Sequence, residues 1–126
     1  MANISFILRN EVVRFDPVRI GVLERELGPE ATEELLFEST ERLVDRLVDL
    51  RQAVDRGSQI DIANLAHAIE GISCKVGLVT VSRIAQDVMD CADVGDLPAF
   101  HATTARLIRI GERCVTGAFE FSDQFV

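Results

Sequence analysis

Apolar residues recur every three to four positions along five segments of this chain, and glycines and prolines separate the segments. This spacing is typical of amphipathic helices, and no alternation with period two extends over a useful length. Asp16-Pro17 predicts a capped helix start, and Gly28 predicts the end of that helix. The same signals predict four further helices, over residues 31–56, 58–76, 78–94 and from 96 onward.

The connections between these segments are short, so consecutive helices are expected to be antiparallel neighbours. The pattern therefore predicts an all-α, up-down-up-down four-helix bundle, with the helix at 16–27 packed against it. Its 126 residues suffice for one core, and we expect a single domain over 1–126. The predicted core positions are Leu36, Thr40, Leu43, Leu47, Leu50 and Val54, then Val81, Ile84, Ala85, Val88 and Cys91, and finally Phe100, Thr104, Leu107, Ile108, Gly111 and Cys114.

The two ends of the chain carry weaker signals. Residues 1–15 fit a helical extension, an apolar arm on the bundle or a contact with another chain. After residue 118, the aromatic side chains of Phe119, Phe121 and Phe125 favour anchoring onto the bundle over a partner motif.

His67 is unusual because it lies opposite the apolar stripe of its predicted helix. Successive residues turn by about 100°, which places the apolar positions of 62–76 on the far side of that helix. Ala63, Asn64, Gly71 and Cys74 fall within roughly 60° of His67. An outward imidazole with small neighbours suits a group that another macromolecule must reach.

Composition narrows the classes of function. The net charge of −8 excludes the basic stripe that nucleic-acid binding requires. No apolar run approaches the roughly 18 residues of a membrane span, and residues 1–9 lack a basic leader and a cleavage site. Three widely spaced cysteines, Cys74, Cys91 and Cys114, favour a reduced cytoplasmic protein. A monomer is the default for a bundle of this size.

The segment from Ala66 to Leu78 resembles the signature helix of histidine-containing phosphotransfer (HPt) domains. Ala66, Gly71 and Gly77 match that signature in their spacing from His67, and the resemblance covers roughly residues 16–118. It implies a phosphorelay intermediate in which His67 accepts and donates a phosphoryl group. It also implies a response-regulator receiver domain or a hybrid histidine kinase as partner, with the divalent metal on the receiver, no cofactor of the chain's own and no ATP-dependent kinase activity.

The chain departs from the family at Glu70, where a lysine is usual. A carboxylate one turn from His67 disfavours phosphoryl oxygens by about 1 kcal/mol, and Lys75 lies roughly 12 Å of helix rise away, too far to replace the lysine. Lys75 can still pair with an acidic rim on a receiver. The alternatives are therefore an adaptor that binds a receiver or kinase without accepting phosphate, and a structural module with an incidental histidine.

Several other residues have simpler interpretations. His101 is expected to be structural or solvated, and Cys74 to be a small filler beside His67. A metal site of His67, Glu70 and His101 is not expected, because bundle metal sites point inward. The remaining open set is the flank Phe37, Val44 and Val48, which fits packing against the first helix or an apolar docking patch.

Overall fold

The computed structural model describes the backbone of residues 5–8 and 11–124 and the side chains of residues 15–116. Two strands precede five helices in the chain. The strands are β1 (Ser5–Leu8) and β2 (Glu11–Arg14); the helices are α1 (Pro17–Leu27), α2 (Pro29–Arg56), α3 (Gln59–Lys75), α4 (Val79–Val94) and α5 (Leu97–Gln124). Helices α2 to α5 pack as an antiparallel bundle, and α1 packs against α2. The predicted all-α bundle with an additional N-terminal helix is confirmed.

The helix boundaries follow from the capping residues that the sequence indicated. Asp16 accepts a hydrogen bond from the Val18 amide at 3.0 Å, Ser58 accepts one from Asp61 at 3.3 Å, and Asp96 accepts one from Ala99 at 3.1 Å. Each satisfies an amide that has no partner inside its helix. Gly57 and Gly95 end α2 and α4 in the left-handed conformation that glycine adopts without a steric penalty.

The hairpin of β1 and β2 is an element that the sequence pattern did not predict. The strands pair antiparallel, with Phe6 opposite Val13 and Ile7 opposite Val12. β2 lies near α4 and β1 near α5, so residues 5–8 and 11–14 form an arm on the bundle and not a helical extension. Four-residue strands with adjacent apolar residues leave no period-two signal to detect.

The core consists of the inward faces of all five helices. Most predicted positions are buried, Leu36, Cys91 and Ile108 are half-buried and pack against the core, and the prediction for Val54 needs correction. Val54 is 41% exposed because it lies in the last turn of α2, at the end of the bundle, and Ala53 is buried instead. On α5, Ile110 is fully buried, whereas Ile108 is half-buried and only packs against the core.

An ion pair joins α2 to α5 outside the core. The Arg51 Nε donates to Glu112 at 2.7 Å and its Nη2 donates at 2.6 Å, a two-bond arrangement that fixes the guanidinium plane. The hydrogen bond from Arg51 lowers the pKa of Glu112, and the same contact raises the pKa of Arg51. The lowered pKa of Glu112 stabilises the fold at pH values above the pKa that this carboxyl has in the unfolded chain. This contribution is lost as the pH falls through the folded pKa of Glu112.

Among the described residues, none of the helices combines the length and the apolar character that crossing a membrane requires.

Candidate functional site

His67 lies at the midpoint of α3, with its side chain exposed to solvent. Its helical neighbours Ala66 and Ile69 are fully buried, and they hold α3 against the rest of the bundle. The outward direction of the imidazole, predicted from helical spacing, therefore agrees with the structure. A side chain on a rigid helix is positioned more precisely than one on a loop.

Gly71 lies one turn after His67 on the same face, and it is exposed. A Cβ added at this position would meet no atom within 4 Å. Packing inside the chain therefore does not require a glycine here, although glycine in a helix costs about 1 kcal/mol relative to alanine. Because Gly71 has no side chain, the surface beside the imidazole stays open.

The other predicted site residues also lie on or beside this outward face. Asn64, Cys74 and Lys75 are exposed, and Ala63 is half-buried. Residues three or four apart on a helix have Cβ atoms about 5–6 Å apart, so Ala63, Asn64 and Gly71 are the immediate neighbours of His67. Cys74 and Lys75 lie about two turns away. Because Ala63 and Gly71 are small, the surface around the histidine is open.

Glu70 is half-buried and lies three residues after His67. The ion pairs among residues 15–116 join Arg46 to Asp49, Arg51 to Glu112 and Arg56 to Asp61, and none of them includes Glu70. Its carboxylate is therefore not neutralised by a described cation. In the folded protein a carboxylate outside these ion pairs therefore lies within one helical turn of His67.

Hydrogen bonds from residues at the start of α1 hold the C-terminal end of α3 in place. The Arg19 Nε donates to the Lys75 carbonyl at 2.9 Å, and the Asp16 amide donates to the Gly77 carbonyl at 2.6 Å. Gly77 has φ of 76°, and a Cβ there would lie 3.1 Å from the Asp16 amide nitrogen. The glycine that matched the family signature at this position is thus required by a close backbone approach and a left-handed turn.

One residue of this face was missed by the sequence analysis. Ile60 lies seven residues before His67, which is two helical turns, and its side chain is 76% exposed. Because Ile60 lies on the same side of α3 as the histidine, a molecule that covered this face over two turns would also contact Ile60. The seven-residue spacing from His67 was the signal that could have identified it.

The structure also places the residues that were given simpler interpretations. His101 is exposed on α5, and its ring contacts Phe100 edge-on with a centroid distance of 5.7 Å. In the part of the chain that the structure describes, no three His, Cys, Asp or Glu side chains come together in a group that could hold a metal ion. On the flank of α2, Val44 is half-buried against the core, whereas Phe37 and Val48 are 48% and 51% exposed.

Comparison with known proteins places this geometry in a fold class. No protein-family model matches the chain, and no curated protein sequence matches it. Its structure is similar to the crystal structure of histidine-containing phosphotransfer protein B (HptB) from Pseudomonas aeruginosa PAO1, with a TM-score of 0.75 and 20% sequence identity. The match covers 89% of this chain and 96% of that chain. The chain therefore has the fold of an HPt protein, which confirms the resemblance indicated by the sequence at the level of the fold.

Proposed function

We propose that this protein is a phosphorelay intermediate of two-component signalling, with His67 as the phosphoacceptor. The observation that carries the proposal is the open face of α3: His67 is exposed, and the space beside it at Gly71 is not demanded by internal packing. The similarity of the fold to that of a histidine-containing phosphotransfer protein supports the same proposal.

The transfer exchanges one bond to phosphorus for another. A ring nitrogen of the neutral imidazole of His67 attacks the phosphorus of an aspartyl phosphate on a receiver domain. The new N–P bond forms as the P–O bond to the aspartate breaks, and the carboxylate leaves with the bonding electrons. Histidine suits this step because its neutral form is well populated near pH 7, and the reverse reaction returns the phosphoryl group.

The chain's own contribution is position and access, because phosphoryl transfer depends mainly on positioning and charge neutralisation. In the HPt family the receiver supplies the acidic pocket, the metal and a lysine. We accordingly propose a receiver domain or a hybrid histidine kinase as partner and the cytoplasm as the place of action. Ile60 and Cys74, which lie two turns on either side of His67, would contact the receiver around the transfer site.

The two histidines of the chain provide a matched test of the phosphoacceptor. The full chain is incubated with a receiver carrying a labelled phosphoryl group, and acid-labile label on the chain is followed. We expect His67→Gln to lose the label and His101→Gln to keep it, since both side chains are exposed and only His67 lies on the open face of α3. Label that persists in His67→Gln would contradict the assignment.

Glu70 supports a second candidate function, an adaptor that binds a receiver or kinase without accepting phosphate. Its uncompensated carboxylate opposes the arrival of phosphoryl oxygens next to His67. Receiver binding measured by calorimetry distinguishes the two functions. Tight binding without any label favours the adaptor, whereas binding with label on His67 favours the relay.

A further inference from the structure

A second stripe of residues runs along α2, away from the His67 face. Positions 37, 41, 44, 48, 51 and 55 follow the alternating spacing of four and three residues that is typical of helix pairing in coiled coils. Apart from Val44, which is half-buried, all these side chains are exposed. We call this set the α2 stripe: Phe37, Glu41, Val44, Val48, Arg51 and Asp55.

The α2 stripe borders a basic groove between α2 and α5. Ala105, Ile108 and Arg109 line this open groove of about 380 Å³, together with Arg113 and the Arg51–Glu112 pair. Neither Arg109 nor Arg113 belongs to the ion pairs found among residues 15–116. Three arginines beside one glutamate make the groove locally positive in a chain with a net charge of −8.

Arg51 retains donors for a further acidic group. Glu112 occupies its Nε and Nη2, so the Nη1 edge of the guanidinium remains outside that contact. A guanidinium has five N–H donors in a fixed plane and can hold two carboxylates at once. Asp55, one turn further along α2, also acts on Arg51 electrostatically.

The complementary acidic surface is on the same helix. The first half of α2 exposes a set of glutamates around Phe37, namely Glu30, Glu33, Glu34, Glu38 and Glu41. The α2 stripe is therefore acidic and aromatic at one end and apolar in the middle, and its other end, Arg51 and Asp55, borders the groove that Arg109 and Arg113 line. A surface that contains both acidic and basic groups can pair with the same surface of a second copy when a two-fold axis relates the two copies.

We propose that this protein forms a homodimer through antiparallel pairing of two α2 helices. An axis at the level of residue 46 places Val44 opposite Val48 of the second copy and Glu41 opposite Arg51 of the second copy. It also places Phe37 opposite Asp55 of the second copy, at the groove that Ile108 and Arg109 line. An aromatic ring there gains apolar contact and a cation–π interaction. This dimer replaces the monomer expected from chain length, and it leaves His67 of both copies accessible.

Sedimentation of the full chain over a wide range of concentration tests the dimer, at about 0.15 M salt, where the screening length is about 8 Å. We expect a reversible monomer–dimer equilibrium in the natural protein and a shift to monomer in Val48→Glu. The matched control is Val94→Glu, because Val94 is an 81% exposed valine outside the stripe. A natural protein that sediments as a monomer at every concentration overturns the proposal, as does an equal loss in Val94→Glu.

A charge exchange tests the register. The first variant is Glu41→Arg, and the second combines Arg51→Glu with Glu112→Arg, which keeps an ion pair between α2 and α5. Each variant alone places like charges opposite each other and is expected to be monomeric, whereas an equimolar mixture is expected to restore the dimer. Thermal unfolding checks that both variants fold. A mixture that is no more dimeric than its two components overturns the proposed pairing, whatever the outcome of the phosphotransfer assay.

Discussion

Two glycines inside helices, Gly71 on α3 and Gly111 on α5, look alike in sequence and have opposite surroundings. Gly71 faces open space, and a Cβ there would touch nothing within 4 Å. Gly111 is buried, and a Cβ there would lie 2.7 Å from the Leu47 Cδ2. Each carries the same cost in helix propensity, about 1 kcal/mol. At Gly111 that cost is offset by close packing of α5 against α2, whereas at Gly71 no contact with a described residue offsets it.

The difference separates a structural requirement from a functional one. Both regions belong to the same bundle and follow the same helical periodicity. The atoms near each glycine show the difference. Gly111 lets α5 approach Leu47 of α2 closely, whereas Gly71 leaves an open space on the surface of α3. The open position lies next to the candidate phosphoacceptor, so the space itself is a part of the proposed site.

Adding a methyl group is expected to change the free energy of unfolding most at Gly111, the buried glycine. Gly111→Ala should lower the free energy of unfolding by about 1–2 kcal/mol, because the strain against buried Leu47 exceeds the gain in helix propensity. Urea unfolding measures this change. A stabilised Gly111→Ala variant would mean that Leu47 moves aside at little cost, and the contrast between the two glycines would fail.

At the open position, the same substitution should have the opposite effect on stability. Gly71→Ala should raise the free energy of unfolding by about 0.5–1 kcal/mol, since the methyl group meets no neighbour and helix propensity improves. Phosphoryl transfer from a receiver should become slower as the space beside His67 is filled, and slower still in Gly71→Leu. Transfer at the natural rate in both variants would argue against a steric role for Gly71.

The last of these effects concerns charge on the open face, where the expected change is in an equilibrium and not in stability. Glu70→Lys exchanges a carboxylate for a cation near the phosphoryl oxygens, which should favour the phosphorylated form by about 1 kcal/mol, or roughly fivefold in the equilibrium constant. The phosphorylated fraction at equilibrium with a labelled receiver measures it. Glu26→Lys, an equal charge change at an exposed position of α1, is the control. If rate and equilibrium are unchanged in Glu70→Lys, the electrostatic argument is wrong.

Much of the bundle could be predicted from local chemistry. The capping side chains of Asp16, Ser58 and Asp96 and the glycines after α2 and α4 define helix ends through contacts within a few residues. Helical spacing was sufficient to place His67 outside and Ile69 inside. These features depend on one helix at a time, and a pattern along the chain contains that information.

Features that depend on two distant segments could not be predicted in this way. The Arg51–Glu112 contact joins residues 61 positions apart, and the Arg19–Lys75 contact joins residues 56 apart. The exposure of Val54 depends on where neighbouring helices end, which periodicity does not specify. Strands β1 and β2 were missed because pairing between two short apolar segments has no periodic signature.

The cysteines give the proposed docking face a chemical reporter. Cys114 is buried on α5, and burial raises the pKa of its thiol to about 12, so it has almost no reactive thiolate at neutral pH. Cys74 is exposed on the His67 face. A thiol-directed reagent should therefore modify Cys74 well before Cys114. A bound receiver would shield Cys74, so the footprint of the partner can be read from the protein's natural side chains without an added label.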